Sequence, residues 1–245
     1  MRFFVGIHDP HQAFDFAECF ISVNRLWKRK SDFAVGEWIL DSGAFTELDK
    51  HGCYREERSV ANYAAQIRRW KRCGHLLAAV AQDYMCEPIM LEKTGLSVAE
   101  HQRLTVERYD ALMAEETGVT ILPVLQGFKP RDYAAHIEQY GERLASGAWV
   151  GVGSVCKRQG SPFVIMQVLM AIRRVRPDLR LHGFGVKLTS LADGDVRAAL
   201  YSADSMAWSY SARMQGRSAD DPREAHDFIA KIERQQPIPT LLSWM

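Results

Sequence analysis

The stretch Glu37-Trp38-Ile39-Leu40-Asp41-Ser42-Gly43-Ala44-Phe45 holds the pattern on which the reading of the whole chain turns. Its first half, Glu37 to Leu40, is the apolar and aromatic run of a short buried strand. The run then stops on an acid, a serine and a glycine, residue types that make turns. Comparable runs recur at Phe3 to Ile7, Cys19 to Val23, Leu76 to Ala81, Thr120 to Leu125, Trp149 to Val152, Leu181 to Phe184 and, more weakly, Tyr201 to Trp208. Most are separated by helical patterns. Val60, Tyr63, Ala64, Ile67 and Trp70 share one helical face, as do Tyr133, Ile137, Tyr140 and Leu144. A third helix, Pro162 to Arg176, is opened by Ser161-Pro162 and stopped by Pro177. Alternating strands and helices require parallel strands joined by crossovers. Eight such strands in 245 residues predict a single closed (β/α)8 TIM barrel over residues 1–245 in preference to an open, doubly wound sheet.

Composition agrees. The chain is 47% hydrophobic and 25% charged, which excludes disorder and fibrous classes and leaves ample material for a core. No apolar run approaches the roughly 20 residues of a membrane span, and Met1 to Pro10 lacks the form of a secretory leader, so a cytoplasmic protein without membrane contact is expected. The five cysteines (19, 53, 73, 86 and 156) form no Cys-x-x-Cys pair, which argues against a disulfide framework and a zinc knuckle. A net charge of +1 excludes a globally basic nucleic-acid coat and confines any such binding to local patches.

In a parallel barrel chemistry gathers at the carboxyl ends of the strands. Here those ends read Asp41-Ser42-Gly43, Gln82-Asp83, Gln126-Gly127, Gly151-Val152-Gly153-Ser154, His182-Gly183 and Asp204-Ser205. One such Asp is ordinarily a helix cap or turn residue. Three acids and a glutamine converging on one mouth demand a further reason.

The motifs Asp41-Ser42-Gly43-Ala44-Phe45, Leu125-Gln126-Gly127, Gly151 to Val155, His182 to Gly185 and Ala203 to Arg213, in that order, resemble the tRNA-guanine transglycosylases. The opening Phe3 to Pro10, with Gly6, His8 and Pro10, is similar to the branch that inserts 7-deazaguanines into DNA, the DpdA-like proteins. The resemblance implies a base-exchanging glycosyltransferase that replaces guanine in DNA by a 7-deazaguanine such as 7-cyano-7-deazaguanine (preQ0). It makes Asp204 the nucleophile on C1′ and Asp41 the general acid and base. Asp83 would accept from N1–H and the 2-amino group of guanine, and Gln126 with the backbone of Gly151, Gly153 and Ser154 would address O6. Phe45 and His182 would sandwich the ring, with Ser42 and Gly183 in the same substrate-binding set. No cofactor or metal is implied.

Two departures bear on the substrate. The tRNA enzymes carry a zinc-binding subdomain, whereas no cysteine follows Cys156, and Trp208-Ser209-Tyr210 replaces their Pro-Thr-Arg run. Both favour DNA over tRNA, which stays as the alternative. Lys28 and Arg29, Lys157 and Arg158, and Arg213 and Arg217, with Arg25, Lys30 and Lys187, would form a basic rim for phosphates. The arginines at 68, 69, 173, 174 and 176, together with Lys71 and Arg72, belong to solvated helix faces. Two other classes compete. His8 and His11 could begin the metal site of a barrel hydrolase, although no further histidine ends a strand beside them except His182. A non-catalytic nucleic-acid-binding barrel would not need acids in a pocket that faces an anion. Helper proteins and pairing of two chains are left open.

Overall fold

The computed structural model describes residues 1–155 and 161–234. Among these residues nine parallel strands form one sheet: β1 (Arg2–Ile7), β2 (Glu18–Ser22), β3 (Glu37–Asp41), β4 (His75–Val80), β5 (Ile121–Leu122), β6 (Val124–Leu125), β7 (Trp149–Val152), β8 (Arg180–Gly183) and β9 (Ser202–Ser205). Their order is β5-β4-β3-β2-β1-β9-β8-β7-β6. The two edge strands are halves of one segment, so the sheet closes on itself through Pro123. The expected single run Thr120 to Leu125 is thus corrected to two short strands. On one side Ala79 and Ala81 donate to the carbonyls of Thr120 and Leu122, and on the other Gly151 and Gly153 donate to those of Pro123 and Leu125. Proline has no N–H to give, but its carbonyl still serves the neighbouring strand.

The helices pack outside: α1 (Ala44–His51), α2 (Val60–Trp70), α3 (Pro88–Thr94), α4 (Val98–Ala114), α5 (Pro130–Tyr140), α6 (Pro162–Val175), α7 (Leu188–Leu191), α8 (Gly194–Ala199), α9 (Ala207–Met214) and α10 (Pro222–Arg234). Tyr63, Ala64, Ile67 and Trp70 are the buried face of α2, as their spacing predicts. Leu144 lies beyond the end of α5, after a 3-10 turn at Gly141–Arg143. The weak eighth run divides: Ser202 to Ser205 is strand, and Trp208 belongs to α9, where its indole donates to the Gly6 carbonyl at 2.9 Å. The predicted packing of the tail beyond residue 234 lies outside the described residues.

Two layers of packing follow from strand alternation. Outward side chains of the strands meet the helices in the main core, where Trp38, Tyr63 and Trp70 are fully buried. Inward side chains fill the barrel itself, with Phe4, Ile39, Val80, Leu122 and Val124 at its centre. At the amino end of the strands Arg2 pairs with Glu18 and with Glu37, the latter at 2.6 Å. The opposite end is left open for the polar residues that finish the strands.

Candidate active site

At the carboxyl end of the strands lies a cavity of about 790 Å³, lined by Asp41, Asp83, Gln126, Gly153, Ser154 and Asp204 and by the rings of Phe20, Phe45 and Phe184. Asp41 follows Ile39 on the inner face of β3 and stands opposite Ser22 in the register of β2 and β3. Its Oδ2 accepts the Gly43 N–H at 3.1 Å. Burial pushes the Asp41 carboxyl up to about 6, with the Asp204 charge adding to the effect and bonds from Ser22, Gly43 and Ser42 opposing it.

Asp204 ends β9. Its Oδ1 accepts from the Gly185 N–H at 3.1 Å and lies 3.2 Å from His182 Nε2. Behind it a directed chain runs through the barrel interior. The Trp149 indole can only donate, and it donates to Ser202 Oγ at 2.9 Å. The Asp204 carboxylate can only accept, so His182 donates to it from Nε2, and its Nδ1, 2.9 Å from Ser202 Oγ, is the acceptor for the Ser202 hydroxyl in the neutral imidazole. Both donors take Oδ1, which leaves Oδ2 as the oxygen for the cavity.

Asp83 forms the third acidic position. Gln126 donates its side-chain amide to Asp83 Oδ2, and the Gln126 oxygen accepts from Ser154 Oγ at 2.9 Å. Burial pushes Asp83 up to about 7, opposed by the Gln126 bond and assisted by the charges of Asp41 and Glu87. Gln126 is also held by its backbone: its N–H donates to His136 Nδ1 at 2.8 Å, and its carbonyl accepts from Gln102 at 2.7 Å. A Cβ at position 153 would lie 2.1 Å from Gln126 Nε2, so only glycine lets this side chain cross the end of β7.

Some residues expected in the site are placed elsewhere. His182 is fully buried beneath Asp204, stacked on Phe20 at 5.7 Å, where it cannot sandwich a ligand; Phe184 lines the cavity instead. The amides of Gly151 and Gly153 are spent in the barrel ladder, and a Cβ at 151 would strike the Phe184 ring at 2.3 Å. Gly183 packs against Val186 and Leu200, and Ser42 is buried outside the cavity lining. Phe184 and Gly185 stood inside the quoted His182 to Gly185 motif without being singled out. Phe20 and Ser22 could have been found from alternation along β2.

The expected basic rim is uneven. A groove of about 580 Å³ shares His8, Asn24 and Arg25 with the main cavity and adds Arg213, Asp9 and Asp220. Arg25 donates to His8 Nδ1 at 2.7 Å, so the His8 hydrogen sits on Nε2 and reaches Ser209 Oγ at 3.0 Å. Burial and the Arg25 charge hold His8 below the usual imidazole range. Lys28 is exposed, Arg29 is tied to the carbonyls of Ser31 and Asp32, and Arg217 pairs with Glu224 at 3.1 Å. Lys157 and Arg158 lie outside the described residues. His11 Nε2 faces Arg29 at 3.3 Å, and among the described residues no three His, Cys, Asp or Glu side chains are grouped to hold a metal ion. No helix among them is long and apolar enough to cross a membrane.

Fold and site together define a TIM-type α/β barrel whose mouth holds three carboxylates, Asp83 and Asp204 buried and Asp41 half-buried, in a cavity of about 790 Å³. Residues 1–229 match the family model DpdA, deoxypurine in DNA protein A, and the chain belongs to that family. Membership supports, in broad terms, a transglycosylase role on DNA. No curated protein matches the chain.

Proposed function

We propose that this barrel exchanges guanine in DNA for a 7-deazaguanine such as preQ0 through a covalent aspartyl-sugar intermediate. The observation that supports this reading most is the pairing of Asp204, held by two donors at one oxygen, with a half-buried Asp41 whose carboxyl is pushed up to about 6 in the same cavity. An Asp204 oxygen attacks C1′ of the flipped deoxyguanosine as the C1′–N9 bond breaks, and Asp41 delivers its proton to N9 of the departing guanine. The incoming 7-deazaguanine returns a proton from its own N9 to Asp41. Its N9 then attacks C1′, the ester bond to Asp204 breaks, and both carboxyl groups regain their starting states.

Asp83 and Gln126 supply the hydrogen-bonding edge for the base, while Phe45 and Phe184 offer it aromatic faces. The groove beside the cavity suits the sugar-phosphate chain, since Arg25 and Arg213 both line it. The test is transfer of labelled guanine or preQ0 into DNA and into tRNA by wild type and Asp204→Asn. Incorporation into DNA that vanishes in the variant supports the reading. Equal incorporation by the variant overturns the nucleophile, and incorporation into tRNA alone overturns the DNA substrate.

A further inference from the structure

Gly6 follows Phe4 on the inner face of β1, and its neighbour on β9 explains why it is glycine. Its backbone is not left-handed, so the requirement is space. A Cβ at position 6 would lie 2.1 Å from Met206 Cγ and 3.0 Å from its Sδ. The Met206 side chain therefore lies across Gly6, on the β1 side of Asp204. The chain around it is pinned: the Trp208 indole donates to the Gly6 carbonyl at 2.9 Å, and the Ala207 N–H donates to Ser205 Oγ at 3.2 Å. Met206 is half-buried and lines the cavity beside the nucleophile.

Asp83 and Gln126 follow β4 and β6, across the mouth from β9 and β1, whereas the His8, Asn24 and Arg25 that the groove shares with the cavity follow β1 and β2. A nucleotide with its base at the first and its phosphates at the second lays its sugar over β9 and β1, with C1′ at Asp204 Oδ2. The carbon bonded to C1′, C2′, then meets Met206. A hydroxyl there finds poor partners. Asp204 Oδ1 already accepts from His182 and Gly185, and the His8 ring nitrogens face Arg25 and Ser209. The methionine sulfur is a weak acceptor and offers no donor. A 2′-hydrogen loses nothing against the same thioether, and the 2′-hydroxyl is the group by which a protein tells RNA from DNA at a given site. We propose that Met206, seated on Gly6, is a specificity-determining residue that favours 2′-deoxyribose over ribose at the nucleotide being cut. This rests on the base-exchange reading for the place of C1′; the seat of Met206 on Gly6 stands on the geometry.

The experiment uses an oligodeoxynucleotide and the same strand with a single riboguanosine at the modified position, in competition for labelled preQ0. Binding of dGMP and GMP, which differ only in the 2′-hydroxyl, is measured beside it. Wild type is compared with Met206→Leu, which keeps the apolar wall, and Met206→Gln, which keeps the length and offers the hydroxyl an amide. Each result is a ratio of two substrates on one preparation, so a partly unfolded variant does not distort it. Wild type should favour the deoxy substrate about 10- to 100-fold, the discrimination that an apolar pocket achieves against an added hydroxyl. Met206→Leu should keep that preference and Met206→Gln should lose most of it. No preference in wild type overturns the proposal, as does a preference that Met206→Gln retains. A preference lost equally in both variants also overturns it, since shape and not polarity would then decide. If wild type transfers no base yet prefers dGMP to GMP, and only Met206→Gln loses that preference, the sugar selection stands and the transglycosylase reading falls.

Discussion

His182 Nε2 sits 3.2 Å from Asp204 Oδ1, at the end of a buried chain that begins at the Trp149 indole and passes through Ser202. Each donor in the chain has a single partner to serve, so the orientation of Asp204 is set before any ligand arrives. Replacing His182 by Ala should lower exchange about 10- to 100-fold and destabilise the barrel by roughly 1–3 kcal/mol, since the Ser202 hydroxyl loses its acceptor inside the core. His182→Gln, whose amide nitrogen can stand near the lost Nε2, should recover part of the rate. Steady-state kinetics and thermal denaturation on the two variants check this.

Asp41→Asn should reduce transfer about 10²- to 10⁴-fold, the contribution of a positioned general acid. Because the Asp41 carboxyl is pushed up to about 6 and must carry its proton to deliver it, the rate in wild type should fall as the pH rises past that value. A pH–rate profile with no limb near 6 would count against the assignment.

Stability should also respond to pH through Asp83. Its carboxyl titrates at 3.8 when unperturbed and at about 7 in the fold, so between those values the folded chain binds more protons than the unfolded one. Stability contributed by the protonated form is present below the lower value and is lost as pH rises through the upper. Asp83→Asn should therefore be more stable than wild type at pH 8 and show a flatter dependence of Tm on pH, while binding guanine more weakly.

Gly153→Ala places a methyl group on the Gln126 side chain. Displacing that amide should weaken base binding by about 10-fold or more, on the scale of a broken hydrogen-bond pair. Binding calorimetry with guanine provides the measurement.

Arg25→Ala and Arg213→Ala should each weaken DNA binding without altering affinity for the free base. Each should also reduce the slope of log affinity against log salt by about 1. An unchanged salt slope in both variants would remove the groove from the nucleic-acid path.

The alternation of strand and helix was legible because buried strands and amphipathic helices leave different periods in the chain. The positions of Asp41, Asp83, Gln126 and Asp204 were legible for the related reason that they stand at or just past the carboxyl ends of those strands. Pro123 shows where one-dimensional reading stops: the apolar run through it is continuous, and only the pairing of its two halves with different neighbours divides it. Strand ends also do not disclose direction. Gly151, Gly183 and His182 stand where binding residues would, yet the ladder, the helix layer and the barrel interior claim them.

By itself, then, the sequence determined a parallel barrel with acids gathered at one mouth, since periodicity and strand-end chemistry are local properties of the chain. Which of those acids is held at one oxygen, which keeps its proton, and which way the Gln126 amide points were decided by tertiary structure alone. Burial, like-charge proximity and the direction of hydrogen bonds from Ser154, Ser202 and Trp149 depend on residues far apart in sequence that meet only when the barrel closes.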